Sequence, residues 1–415
     1  MGPVTVPPRS VRHVGTARIG TLARPRLRRT GVRSVCRYPD EMTSTPVLPD
    51  YHGGSLANLV AELEQRLGSE PLAEPLAPEL AALIPKGESY VLVLFDGLGD
   101  HQLDHPAVAP LARSRRAAID APFPTTTTVS LATIATGTSP AGHGLLGYQL
   151  WIPEVDRVVN TIRWTTLWGD SIDLDLQGFL PAPNLWERLS ACGAEGFTVQ
   201  PANFDRTALS RVLYRGAAFA GATDLNEWVG ITASLAAKPN RLIFAYLPQV
   251  DFAAHVHGQE APEYAAALGF VASAWQRLAE RLPSGAIAVG TADHGHVDFP
   301  PERQHRISKP AHQGRTFYGD GRAMFVKGDG ASLAEDLPAR WIPRDEMTDW
   351  WGPGERTPAV ADRVPDGVLL AEENALLLHR FSDDRMIGNH GGLTEAERKL
   401  PLLVAESDQA QVGGD

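Results

Sequence analysis

The sequence predicts an α/β fold, a three-layer α/β/α sandwich around a central, mostly parallel sheet, and three observations carry that prediction. Short apolar runs of strand length, Ser89–Phe95, Arg241–Leu247 and Gly285–Ala292, lack polar alternation, as strands buried on both faces require. Between them lie segments with apolar residues at helical spacing, the longest over Pro262–Leu282. Each run is followed at once by polar residues rich in Asp and His, and in open α/β sheets ligands bind beyond the carboxyl ends of the strands.

Composition fits this reading. The 415 residues are 43% hydrophobic and 21% charged, enough apolar material for a large core. No apolar run reaches the roughly 18 residues of a membrane span, so no membrane association is expected. Two cysteines, Cys36 and Cys192, cannot build a disulfide framework, and a reducing, cytoplasmic setting is expected. The net charge of −11 is uneven: residues 1–41 hold nine arginines against Asp40 and Glu41, a net of +7, leaving −11 − 7 = −18 for the remainder. An acidic body argues against non-specific nucleic-acid binding as the main role and better suits recruitment of cations.

In chain order, residues 1–41 show no hydrophobic periodicity and are expected to be a disordered, Arg-rich extension. They lack a secretory apolar stretch. We read them as upstream of a natural start at Met42, with a transit peptide as the rival. Residues 42–415 are expected to form a single catalytic domain. Ser55 can cap a helix whose Leu56, Leu59, Val60, Leu63 and Leu67 share one face before Gly68. The Ser89 strand follows a Pro-rich connector. Residues 147–183, with Trp151, Trp164 and Trp168, read as an aromatic-rich loop region bordering the site. A helix over Asn184–Cys192 leads back to strand–helix units near Gly196–Gln200. Arg322–Val326, Gly367–Leu370 and Leu400–Ala405 are further strand candidates.

The stretch Pro122–Gly137 contains four consecutive threonines, Thr125 to Thr128, between two prolines and an apolar helical segment closed by Gly137. One hydroxyl therefore sits in the first turn of a helix, where unpaired N–H groups and the dipole favour negative charge. That suits an alkoxide nucleophile, and it suits an ordinary N-cap, the commoner case when the stretch is taken alone. The ligand-type residues tip the balance. Asp96 follows the first strand, Asp251 and His255 the second, Asp293 and His294 the third, and His390 lies in a Gly-rich turn. Singly, each is an ordinary turn residue or helix pair. Together, three carboxylates, three imidazoles and a hydroxyl make a ligand set for two metal ions.

Phe95-Asp96-Gly97, Pro124-Thr-Thr-Thr-Thr-Val-Ser130, Asp251-x-x-x-His255, Ala292-Asp293-His294-Gly295 and His390-Gly391 resemble the alkaline phosphatase superfamily, specifically its nucleotide pyrophosphatase/phosphodiesterase branch, over residues 88–405. The resemblance implies the alkaline-phosphatase-like fold. It also implies that Asp96, Asp293 and His294 hold one metal, which touches the nucleophile, and that Asp251, His255 and His390 hold the other. It places the nucleophile at Thr127, with Thr126 and Thr128 as fallbacks. The implied activity is hydrolysis of a small-molecule phosphodiester or nucleotide through a phospho-threonine. Zinc is the favoured ion for sites of imidazole and carboxylate, with manganese second. Two positions depart from the animal enzymes, whose lysine and asparagine are replaced by Thr126 and Ser130; Ser130 is expected to bind substrate in place of the asparagine. Trp151, Trp164, Trp168 or Phe123 could stack on a base. His143 is expected to be structural, and His257, His296, His305 and His312 are minor candidates for lining the site. The alternatives are a phosphomonoesterase or phosphonate hydrolase of the same superfamily, and a non-enzymatic metal-containing nucleotide sensor.

Overall fold

The apolar runs form the centre of the molecule. The computed structural model describes residues 46–407. Its main sheet has seven strands: β1 (Ser89–Phe95), β2 (Arg115–Asp120), β3 (Glu195–Pro201), β4 (Ala218–Ala222), β5 (Arg241–Leu247), β6 (Ala286–Thr291) and β7 (Lys399–Glu406). Their spatial order is β2-β7-β6-β1-β5-β3-β4. β1 runs parallel to both neighbours, with Val91 opposite Ile243 and Ala288, and every residue of β1, β5 and β6 is buried. Only β7 runs antiparallel, pairing with β6 and β2, so the sheet is mixed although mostly parallel.

The pleat assigns helices to both faces. Gly196 is in register with Leu242 and Tyr90 and leaves room for the ring of Trp186. Gly290, in register with Val93, is out of phase with that set and makes room for Trp275. Trp186 belongs to α3 (Leu185–Ala191), which packs with α2 (Thr127–Thr136) and is tied to α1 (Leu56–Arg66) by the Arg188–Glu64 pair. Trp275 belongs to α6 (Pro262–Ala279), which packs with α4 (Leu225–Ala236) and α5 (Gln249–His257).

Three segments differ from expectation. β2 and β4 are edge strands: β2 opens on two exposed arginines, and β4, Ala218-Phe-Ala-Gly-Ala222, is apolar but short and has none of the β-branched residues that mark a central strand. The candidates at 322–326 and 367–370 pair with each other, in a separate antiparallel sheet of Thr316–Gly319, Ala323–Lys327, Gly367–Ala371 and Ala339–Pro343. The region 147–183 is not all loop: Gln149–Ile152, Arg157–Asn160 and Thr165–Thr166 form a small sheet. The Arg-rich stretch 1–41 lies outside the described residues. Among the described residues, no helix is long and apolar enough to cross a membrane.

Candidate active site

The ends of β1, β5 and β6 converge, and each delivers part of one polar cluster. Asp96 follows β1, and the next residue, Gly97, turns the chain at φ +77°. A Cβ at Gly97 would lie 2.8 Å from the Asp251 Cα, so only glycine lets the β1 turn approach α5 this closely. The Gly97 N–H donates to Asp293 Oδ1 at 2.9 Å, and the Asp251 N–H donates to the Asp96 carbonyl at 2.9 Å. Asp251 and His255 stand one turn apart on α5, on the same face.

Three imidazoles are set by backbone carbonyls. The Nδ1–H of His390 donates to Thr125 O at 2.8 Å, that of His255 to Gly388 O at 2.6 Å, and that of His294 to Gly295 O at 3.1 Å. Carbonyls only accept, so each ring keeps a proton on Nδ1 and turns Nε2 toward the carboxylates. The Nε2 atoms of His255, His296 and His390 all point at Asp251 Oδ1, at 3.2, 2.8 and 3.8 Å. His294 Nε2 lies 3.6 Å from Asp96 Oδ1 and 3.4 Å from Asp293 Oδ2. Asp251, His255, His296 and His390 thus form one ligand group and Asp96, Asp293 and His294 another. The His294 and His390 rings stack between them, 3.5 Å apart.

The donor set fits cations. Asp96 Oδ1 and Asp293 Oδ2 are buried without a hydrogen-bond partner, a costly state for carboxylate oxygens that a bound cation relieves. Burial, then the neighbouring Asp293 and Asp251 charges, raise the Asp96 carboxyl well above its ordinary range. Burial likewise lifts Asp293 to about 6. Burial would also raise Asp251, but His255 and His296 hold it well below the ordinary value. Burial drives His294 down to about 3 and His296 to about 4, so both are neutral and able to ligate.

The four threonines separate clearly. The Thr125 hydroxyl donates to Gly392 O and accepts from Gly391 N–H, and Thr128 Oγ1 accepts from Thr161. Thr126 occupies the N-cap position yet makes no side-chain cap bond. Thr127 begins α2, and its Oγ1 lies 3.1 Å from His294 Nε2, against the Asp96 group. Thr126 and Thr127 line a cavity of about 300 Å³ together with Tyr148, Gln149, Asp320 and His390, and no Lys or Arg is among its lining residues. Ser130 is not brought to this cavity: it is fully buried, and its hydroxyl donates to the Asp293 carbonyl at 2.7 Å.

Several contributors carry no local sequence signal. The Tyr246 hydroxyl donates to Asp96 Oδ2; only the pairing of β5 with β1 brings them together. Asp320 enters the cavity from the second sheet, and burial raises its carboxyl to about 7. His296 was legible only as one of several spare histidines. His143 is structural, its Nδ1 accepting from Leu145 N–H and its Nε2 3.1 Å from Thr133 Oγ1. Among the aromatics, Trp164 packs on Phe179 and Phe123 on Trp350 and Trp351, while Trp168 is 66% exposed.

Comparison with known proteins agrees with this fold. No curated protein sequence matches the chain. Among solved structures, an inactive form of murine ectonucleotide pyrophosphatase/phosphodiesterase 5 in complex with AMP superposes with a TM-score of 0.60 at 18% identity, over 76% of this chain and 87% of that one. Human ectonucleotide pyrophosphatase/phosphodiesterase 5 gives 0.57 at 16% identity, covering 76% and 87%. Phosphonoacetate hydrolase from Sinorhizobium meliloti in complex with phosphonoacetate gives 0.56 at 18% identity, covering 78% and 91%. The profile of the type I phosphodiesterase/nucleotide pyrophosphatase family matches residues 90–393. With most of its length matched and its carboxylates, imidazoles and threonine gathered at the strand ends, the chain belongs to the type I phosphodiesterase/nucleotide pyrophosphatase family of the alkaline phosphatase superfamily, hydrolases of phosphoester bonds.

Proposed function

We propose that the protein is a two-metal phosphodiesterase or nucleotide pyrophosphatase that works through a phospho-threonine on Thr127. The observation that carries this reading is the position of Thr127 Oγ1, at the start of α2 and 3.1 Å from His294 Nε2, beside two carboxylates with unpaired buried oxygens. Asp96, Asp293 and His294 would hold one ion, with Thr127 beside it, and Asp251, His255 and His390 the other, with His296 in the same group. Two divalent ions, zinc before manganese given the imidazole and carboxylate donors, supply Lewis acidity for the attacking hydroxyl and charge neutralisation for the phosphoryl and leaving oxygens.

The chain's own residues do the positioning. α2 directs Thr127 Oγ1 and its unpaired first-turn N–H groups at the phosphorus, where negative charge develops. In-line attack forms the Thr127 Oγ1–P bond as the bond to the leaving oxygen breaks, and water then cleaves the phospho-threonine. Ser130 ties α2 to the Asp293 carbonyl and so sets the distance between nucleophile and ligands. A cavity lined by no Lys or Arg suits a diester, with its single charge, over a monoester, which needs extra cationic contacts. We read residues 42–415 as one catalytic unit acting in the cytoplasm on small molecules such as nucleotides.

Hydrolysis of bis-p-nitrophenyl phosphate, p-nitrophenyl phosphate and phosphonoacetate, each with and without chelator, tests this. The expected result is diester preference, lost with chelator and in Thr127→Ala and Asp293→Ala. Full activity of Thr127→Ala would remove the nucleophile assignment. Inactivity toward all three with every metal tried would favour the sensor reading.

A further inference from the structure

A second cleft of about 330 Å³ adjoins the cavity described above and shares His379 and Phe381 with it. The chain outside residues 1–41 carries −18, yet this cleft gathers Arg157, Arg315 and Arg380 against the single carboxylate of Asp156. Trp168, 66% exposed, stands at its edge with the Phe381 ring 4.7 Å away at 77°. The Arg380 guanidinium lies over both rings, 5.6 Å from Trp168 and 4.6 Å from Phe381, and has no ion pair or hydrogen bond among the described residues. Arg315, by contrast, is spent on the carbonyls of Asp329 and Ala311.

His379 joins the two cavities. It is 1% exposed, its Nδ1 accepts from the Phe381 N–H, and its Nε2 is buried with no partner. An orphaned buried imidazole nitrogen in the wall between two clefts calls for a ligand group. An exposed tryptophan beside an unpaired arginine is a stacking platform with an anion site attached.

Building on the phosphodiesterase reading, we infer that the Trp168–Phe381–Arg380 cleft binds the leaving half of an extended phosphodiester substrate, one that carries an aromatic ring and at least one further negative charge, as the second half of a dinucleoside polyphosphate does. The scissile phosphorus lies at Thr127, the chain passes His379, the ring stacks on Trp168, and the distal phosphate pairs with Arg380, since Arg157 is already engaged by the Asp156 carbonyl and carboxylate. Trp151 is not available for this role, because the Lys327 ammonium already sits 3.4 Å over its ring.

The test compares kcat/KM for diadenosine tetraphosphate with that for bis-p-nitrophenyl phosphate, whose leaving half has a ring but no further charge. In the wild type the ratio favours the longer substrate. Arg380→Ala and Trp168→Ala each lower the ratio about tenfold, through KM, on the scale of one stacked base or one desolvated cation contact. Arg380→Lys and Trp168→Phe recover part of it. Calorimetric titration of diadenosine tetraphosphate into Thr127→Ala protein gives the same ordering when the cleft substitutions are added, with no turnover involved. A ratio unchanged within twofold in both alanine variants would overturn the inference while leaving the phosphodiesterase reading intact. Failure of the wild type to hydrolyse either diester would instead strike that underlying reading.

Discussion

Tyr246→Phe is the most informative single substitution outside the ligand set. The Tyr246 hydroxyl donates to Asp96 Oδ2, while Asp96 Oδ1 has no hydrogen-bond partner and would face a cation in the proposed site. Burial and the Asp96 and Asp293 charges hold the phenol far above its ordinary value, so it acts only as a donor. The substitution keeps the ring packed against Phe204 and Phe244, at 6.1 and 6.3 Å, and removes one oxygen. A hydrogen bond to a charged group is worth about 1.5–3 kcal/mol, and outer partners of metal ligands typically govern about 10–100-fold in affinity. Without metal the same bond matters less, because Asp96 is then driven toward its neutral form. Competition against a chelator of known affinity should therefore show roughly 10–100-fold weaker metal binding at the Asp96 site. The melting temperature of the metal-free protein should fall by only a few degrees. Unchanged metal affinity would refute the reasoning, as would a large loss confined to the metal-free protein.

Other outcomes follow from the same geometry. Thr127→Ala should lose hydrolysis while retaining metal at wild-type stoichiometry by elemental analysis, and Thr127→Ser should keep measurable activity. Metal affinity should fall as pH drops from about 7.5 to 5.5: Asp293, lifted to about 6, and His255, raised above its usual value despite burial because Asp251 lies beside it, must each lose a proton to ligate. Isothermal titration at a series of pH values measures this, and a flat profile would contradict it. Gly97→Ala forces a side chain into a φ of +77° and against Asp251, so denaturant unfolding should show a loss of about 2 kcal/mol or more, together with weaker metal binding. Arg188 makes a bidentate pair with the fully buried Glu64, at 2.7 and 2.8 Å, and caps the Thr136 carbonyl at the end of α2. Arg188→Met should cost about 3–5 kcal/mol by leaving Glu64 uncompensated, and the double substitution with Glu64→Leu should recover much of that loss in thermal melts.

The sequence by itself determined the strands of the sheet centre and the residues at their ends. β1, β5 and β6 are buried on both faces, so their apolar runs are unbroken and legible, and the Asp and His residues follow them immediately. Edge strands such as β2 and β4 were illegible because one opens on two arginines and the other is a short run of small residues around a single Phe, and the strands at 322–326 and 367–370 gave no sign that they join a second sheet. The motif resemblance singled out Thr127, but only the tertiary structure shows what occupies its neighbours: Gly391, Gly392 and Thr161, distant in sequence, engage Thr125 and Thr128. It also redirected Ser130 from the cavity to the Asp293 carbonyl and brought Tyr246, His296 and Asp320 to the site. Ligand identity can be read along the chain, since the chemistry resides in the side chain. Which hydroxyl is free, and which neighbour tunes a carboxylate, depends on pairings across the fold that no local pattern encodes.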